Sequence, residues 1–263
     1  MSTPMKFTIL ISNSGTYSLP LYYTFSSNLT INWGNGNITY YYPPGDSIPT
    51  NIYTVSTPTT YTITITGTSF YTGTVGSFGS TSSVSICPYI TQILQWGSIH
   101  ITDFNSVCYN AAGLTSVPSS LPLGVTTMAS AFYGCKSLTT ISLTTDASLN
   151  DVSSMFKNSG ITNVTISNIT NITNMSSMFE GCTSFNQALT WTISSIQNMS
   201  RMFYGCTSLT ATINFTTGTA LTNTSSMFEG CTSFNQSLSS MTFSNIQNMS
   251  RMFYGCTSLT ATI

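Results

Sequence analysis

The chain has 263 residues, of which only five are Lys or Arg and six are Asp or Glu, so charged residues make up 4%, against roughly 25% in an ordinary soluble domain. Apolar residues reach 41%, the reverse of the balance that keeps a chain disordered. Five positive charges cannot build the basic footprint that nucleic acid requires, and so few ionisable groups leave little to cluster for acid–base catalysis. Along the chain, Phe7-Thr8-Ile9-Leu10-Ile11 reads as a first strand and is too short to span a membrane. Leu21-Tyr22-Tyr23-Thr24-Phe25 is a second strand candidate, and Leu29-Thr30-Ile31-Asn32-Trp33 alternates with period two. Gly34-Asn35-Gly36-Asn37 has Asn-Gly at its centre, a hairpin signal. Ile38 to Tyr42 leaves that turn as a strand, which Pro43-Pro44-Gly45-Asp46 ends. Tyr61-Thr62-Ile63-Thr64-Ile65-Thr66-Gly67 is the cleanest alternating strand. Short strands separated by Gly and Pro turns predict a small β-sandwich over residues 1–86.

Residues 87–263 announce themselves by self-similarity. Met155-Phe156, Met178-Phe179, Met202-Phe203, Met227-Phe228 and Met252-Phe253 recur every 23 to 25 residues, with Ala131-Phe132 before them and Cys108 as an earlier degenerate copy. Asn198 to Ile213 returns unchanged at Asn248 to Ile263. A period of about 24 predicts a solenoid with one coil per repeat. One strand fits each Leu-x-x-x-Ile segment, and the Ser-Ser-Met-Phe segment, with its Ser or Asn start and Gly stop, predicts one short helical turn opposite. The expected repeat core is Phe132, Phe156, Phe179, Phe203, Phe228 and Phe253 with Cys135, Cys182, Cys206, Cys231 and Cys256. The chain ends at Ile263 inside a repeat without a divergent cap. The expectation is an open end, covered by a partner, by another copy or by further residues.

The seven cysteines have no pair two to four residues apart, so a zinc site is not expected. Their common place in the repeats favours buried free thiols stacked as a ladder, with crosslinks between neighbouring coils as the alternative. Free thiols would favour assembly in a reducing compartment. Glu180 and Glu229 share one repeat position, and Arg201 and Arg251 share another. Their alternation along one edge reads as surface ion pairing, or alternatively as a recognition stripe. His100, in Ser98-Ile99-His100-Ile101-Thr102, reads as a strand histidine. No catalytic constellation, cofactor site or metal site is expected.

Two resemblances add to this reading. Trp33-Gly34-Asn35-Gly36, followed by Thr60 to Gly67, resembles the polycystic-kidney-disease-type Ig-like domain, although Asn35 stands where that family usually has Asp. Met178 to Gln187 and Met227 to Gln236 match Met-Phe-x-Gly-Cys-x-Ser-Phe-Asn-Gln. That motif resembles repeats first noted in mycoplasma surface lipoproteins, related to leucine-rich repeats of bacterial surface-antigen type and found also in giant viruses and protists. The resemblance implies a leucine-rich-repeat-like solenoid, giving a mainly β protein of two parts. It also implies surface display. The expected function is a non-catalytic, surface-displayed interaction or adhesion module, at the cell surface or extracellular, whose partner is a protein or glycan on a surface. The alternative is a structural virion or fibre component assembling with further copies of itself through its repeats.

Overall fold

A computed structural model describes residues 4–18, 29–41, 50–67, 84–85, 87–97 and 102–261. The strand expected at Leu21 to Phe25 and the region of His100 lie outside the described residues. The first part is built from β1 (Met5–Ile11), β2 (Gly15–Ser18), β3 (Leu29–Asn32), β4 (Ile38–Tyr41), β5 (Thr50–Tyr53), β6 (Thr59–Gly67), β7 (Val84–Ser85) and β8 (Ile90–Gln95). Period-two alternation puts Phe7, Ile9 and Ile11 of β1, Leu29 and Ile31 of β3, and Ile63 and Ile65 of β6 in the core. The antiparallel register pairs Phe7 with Ile63 and Ile31 with Ile65. Trp33 is fully buried. Its Nε1–H donates to Thr39 Oγ1 at 2.9 Å, and the Tyr53 hydroxyl donates to its carbonyl at 2.9 Å. Both polar groups in that core are therefore satisfied.

These strands form open sheets, one of order β4-β3-β6-β1-β8 and one of order β5-β2-β7. The Ig-like β-sandwich of polycystic-kidney-disease type expected over residues 1–86 is not seen. The second edge of β1 is taken by β8, which lies beyond residue 86, and β7 has only two residues and joins β2 in parallel. β8 also reaches the repeats, through a bridge from Gln92 to Ser116.

In the second part the repeats lie parallel and in register. Bridges run from Asp103 to Thr127, Asp151, Asn174, Asn198, Asn223 and Asn248 in turn. The leucine-rich-repeat-like solenoid is nevertheless overturned, because the described residues contain no α-helix; the one helical turn is a 3-10 turn at Cys87–Tyr89. The Met-Phe segments are runs of turns, and their hydrogen bonds explain why. The N–H groups of Met199, Arg201, Phe203 and Gly205 donate at 2.8–2.9 Å to the carbonyls of Asn223, Ser225, Met227 and Glu229 in the next repeat. Those of Met202, Tyr204 and Cys206 donate to the carbonyls three residues back, at 2.9–3.2 Å. An α-helix needs every N–H aligned along its own axis. Here every second one turns outward, which requires a left-handed residue at Arg201 (φ 57°) and another at Gly205 (φ 70°). Serine takes the first of these places at Ser106, Ser130, Ser154, Ser177 and Ser226, and Arg251 takes it in the last repeat. The Asn of each Asn-x-Ser step starts the turn: the Ser200 N–H donates to Asn198 Oδ1 at 3.0 Å, and Ser225 to Asn223 likewise.

The strands of the repeats are β9 (Thr140–Leu143), β10 (Asn163–Ile166), β11 (Leu189–Ile193) and β12 (Ile213–Thr217). They pair in parallel as β9 with β10 and β11 with β12 and make no continuous sheet. The interruption falls at Gln187 of the Phe-Asn-Gln motif. Its Oε1 accepts the Val164 N–H at 2.6 Å, and its Nε2 donates to the Val164 carbonyl at 3.0 Å. One side-chain amide thus occupies the edge of β10 where a further strand would pair. Asn186 acts similarly, its Oδ1 accepting the N–H groups of Thr210 and Ala211 at 2.8 and 2.7 Å.

Candidate interaction surface

The interior of the stack is a column of aromatic rings. Phe132, Phe156, Phe179, Phe203, Phe228 and Phe253 follow one another at centroid distances of 5.4–5.8 Å with nearly parallel planes. The first five are fully buried and Phe253 is half-buried. The cysteines stand beside this column. Cys135, Cys182, Cys206, Cys231 and Cys256 are free thiols, and the first four are fully buried. Each Sγ donates to a carbonyl of the preceding repeat, as Cys206 to Phe179 at 3.1 Å and Cys231 to Phe203 at 2.9 Å. The same Phe179 carbonyl also accepts the Cys182 N–H at 3.0 Å, so the thiol takes its second lone pair. Burial pushes the Cys135 and Cys231 thiols up to about 12 and Cys182 to about 11. At neutral pH they are protonated donors and not nucleophiles.

Charge is concentrated on one edge. Glu180 is buried, yet it accepts Arg201 Nε at 3.0 Å and Nη2 at 2.7 Å, and Lys157 Nζ approaches it at 3.1 Å. Glu229 holds Arg251 in the same way, with both its oxygens 3.0 Å from Nε. Each guanidinium also lies over a tyrosine of its own repeat, Arg201 over Tyr204 at 3.9 Å and Arg251 over Tyr254 at 4.1 Å. Lys157 is the partner that the sequence reading left out. It occupies the position after Phe156 that Glu180 occupies after Phe179, so the repeat alignment alone could have placed it in this row.

Burial by itself raises the Glu180 carboxyl, but hydrogen bonds from Arg201, Ser177 and Lys157 and the Lys157 charge outweigh it and hold it at about 2. The folded value lies below the unfolded one, so the pair's contribution to stability is present above the ordinary Glu range and is lost as pH falls through the folded value. Because both cations are part-exposed, the contribution is about 1–2 kcal/mol. Glu180→Gln should therefore be less stable than the wild type by that amount at pH 6, the gap closing between about pH 4.5 and pH 2. Urea unfolding at a series of pH values measures it, and a gap unchanged at pH 2 would sink the assignment.

The strand side differs from both. Alternation buries Ile141, Leu143, Val164 and Ile166 and exposes Thr140, Ser142, Asn163 and Thr165. The parallel register sets Asn163 beside Thr140 and Thr165 beside Ser142. With Thr115, Ser116, Val117 and Ser119 they line an open groove of about 410 Å³. No ionisable group lines it. On β11 and β12, Thr190 lies beside Asn214 and Thr192 beside Thr216, all exposed. Among the described residues no group of three or more His, Cys, Asp or Glu could hold a metal ion, and no helix is long and apolar enough to cross a membrane.

No curated protein and no solved structure matches the chain. The resemblances to leucine-rich surface repeats and to the polycystic-kidney-disease-type domain do not stand: the repeats carry turns where helices were expected, the strands lie in open sheets, and what matches is a family model of different description. That model, "Mycoplasma protein of unknown function, DUF285", matches residues 82–189 and 150–263, more than half of the chain. The chain belongs to this family of Mycoplasma proteins of unknown function.

Proposed function

We propose that this protein is a non-catalytic interaction module, displayed at a surface, that presents the strand side of its repeats to an uncharged polar partner. The observation that supports this reading is the register of hydroxyl and amide side chains around the open groove at Thr140, Ser142, Asn163 and Thr165. Such a face can exchange hydrogen bonds with a partner without desolvating a charge, which is the costly step in polar recognition. The rigid interior beneath it holds the donors and acceptors in place, so little side-chain entropy is lost on binding. The ionisable groups Glu180 and Arg201, and Glu229 and Arg251, are engaged with each other in pairs.

The test compares the full chain with a Ser142→Lys/Thr165→Lys variant on immobilised glycans and extracellular matrix proteins. Both positions are exposed, so the variant should melt at the wild-type temperature. Saturable binding by the wild type that the variant loses by about tenfold or more supports the reading. Equal binding by both, or no saturable binding by the wild type, overturns it.

A further inference from the structure

The strand-side groove opens onto a strand edge that the described residues leave unpaired. In its sheet, β9 has β10 as its one neighbour. The N–H groups of Asn163 and Ser167 donate to the carbonyls of Thr139 and Leu143 at 3.1 and 3.0 Å. Successive residues of a strand point their backbone groups to opposite edges. The N–H and C=O groups of Thr140 and Ser142 therefore face away from β10, on the side of the groove that both residues line. They make no hydrogen bond with any described residue. Pairing on that edge resumes only at Thr144, whose N–H donates to the Ser119 carbonyl at 2.6 Å. Across the groove, the N–H and C=O of Val117 also lack a partner among the described residues.

Elsewhere the chain shows what closes an interrupted ladder. At β10 the Gln187 carboxamide serves both backbone groups of Val164, accepting its N–H at 2.6 Å and donating to its carbonyl at 3.0 Å. Asn235 Oδ1 accepts the N–H groups of Thr260 and Ala261 at 2.8 Å, and Gln236 Nε2 donates to the Thr210 carbonyl at 3.0 Å. A carboxamide holds an acceptor atom and a donor atom side by side, whereas a carboxylate offers no donor and an ammonium or guanidinium no acceptor. No ionisable residue lines the groove, so nothing there would offset the desolvation of a charged ligand. The hydroxyls of Ser116, Ser119, Thr140, Ser142 and Thr165 around it make no hydrogen bond with any described residue, and each can still donate and accept. An open strand edge in such a setting is a template for another chain.

We propose that the open edge of β9 takes the side-chain carboxamide of a glutamine from an uncharged polypeptide partner, its oxygen accepting the N–H and its nitrogen donating to the carbonyl of Thr140 or Ser142. The inference rests on the strand side being the binding face and names the chemistry of the partner there. It is tested on the full chain by NMR, titrating an end-blocked Ser-Thr-Gln-Thr-Ser peptide and the same peptide with Glu or Leu in place of Gln. The Gln peptide should shift the backbone amide resonances of Thr140 and Ser142 in a saturable manner. The Glu and Leu peptides should bind at least about tenfold more weakly, because neither pairs an acceptor with a donor. The Ser142→Lys/Thr165→Lys variant should lose the Gln peptide by a similar factor. Equal binding of the three peptides by the wild type, all lost in the Lys variant, overturns the carboxamide inference and leaves the strand-side reading standing. Absence of a saturable shift at Thr140 and Ser142 with the Gln peptide, or equal binding of it by the Lys variant, also overturns the inference, while the strand-side reading is decided separately by the glycan and matrix-protein binding.

Discussion

Phe203→Ala is expected to lower the free energy of unfolding by about 4 kcal/mol. The ring is fully buried and sits in the middle of the column, 5.5 Å from Phe179 and 5.4 Å from Phe228. Phe185 and Phe215 close in from the side at 6.0 and 6.3 Å. Truncation removes the transfer free energy of the ring and leaves a cavity. The cavity cannot collapse readily, because the backbone at this height is tied to the repeats on both sides. The Phe203 N–H donates to the Met227 carbonyl at 2.9 Å, and the Phe203 carbonyl accepts both the Cys206 N–H and the Cys231 thiol at 2.9 Å. Phe253 is the internal comparison. It is half-buried and stacks within the column on Phe228 alone, so Phe253→Ala should cost less than half as much. Urea unfolding of the two variants beside the wild type measures both, and a loss below about 1 kcal/mol at Phe203 would contradict a close-packed column.

Gly160→Ala should cost about 3 kcal/mol through a different cause, overpacking against backbone. The spacing from Phe156 to Phe179 is 23 residues, shorter than that between the other Met-Phe pairs. The missing residue falls at Gly160, where other repeats carry Thr-Ser after the cysteine, as in Cys182-Thr183-Ser184. The shortened turn brings the chain against the repeat before it, and a Cβ on Gly160 would stand 2.0 Å from the Lys136 carbonyl oxygen. Its N–H also donates to the Cys135 carbonyl at 3.1 Å, so the backbone cannot retreat without giving up that bond. Gly218→Ala meets the Ser194 oxygen at 2.2 Å and should behave alike. At Gly113 the nearest atom to an added Cβ is 3.8 Å away. Gly113→Ala should therefore leave stability unchanged or raise it by up to about 1 kcal/mol. Thermal melts of the three variants decide the matter, and equal effects at Gly160 and Gly113 would remove the steric explanation.

Much of the first part could be read from alternation and turn chemistry. β1, β3, β4 and β6 fall where Phe7–Ile11, Leu29–Trp33, Ile38–Tyr42 and Tyr61–Gly67 alternate, and the hairpin turns at Gly34 and Gly36 with φ of 79° and 93°. How those strands combine was not legible. The sheets are set by long-range pairings such as β1 with β8, and nothing local announces that Ile90–Gln95 pairs with Met5–Ile11. The hydrogen bond from Asn37 to Asn51 was not legible for the same reason, because an isolated Asn on a short strand carries no signal in sequence.

The helix expected at each Met-Phe segment failed on a specific point. Ser-Ser-Met-Phe followed by Gly is locally compatible with a helical turn. It becomes a run of turns, with left-handed residues at places such as Arg201 and Gly205, only because carbonyls of the next repeat are in position to accept every second N–H. The scarcity of charge, the period of 23 to 25 residues and the recurrence of Phe and Cys are properties of the sequence by itself, and through periodicity they determine which side chains can stack on one another. The tertiary structure alone decided the turns in place of helices, the end of the β10 ladder at Gln187 and the thiols directed to carbonyls of the preceding repeat. Each of these rests on hydrogen bonds between groups well separated along the chain, and local propensity carries no information about such partners.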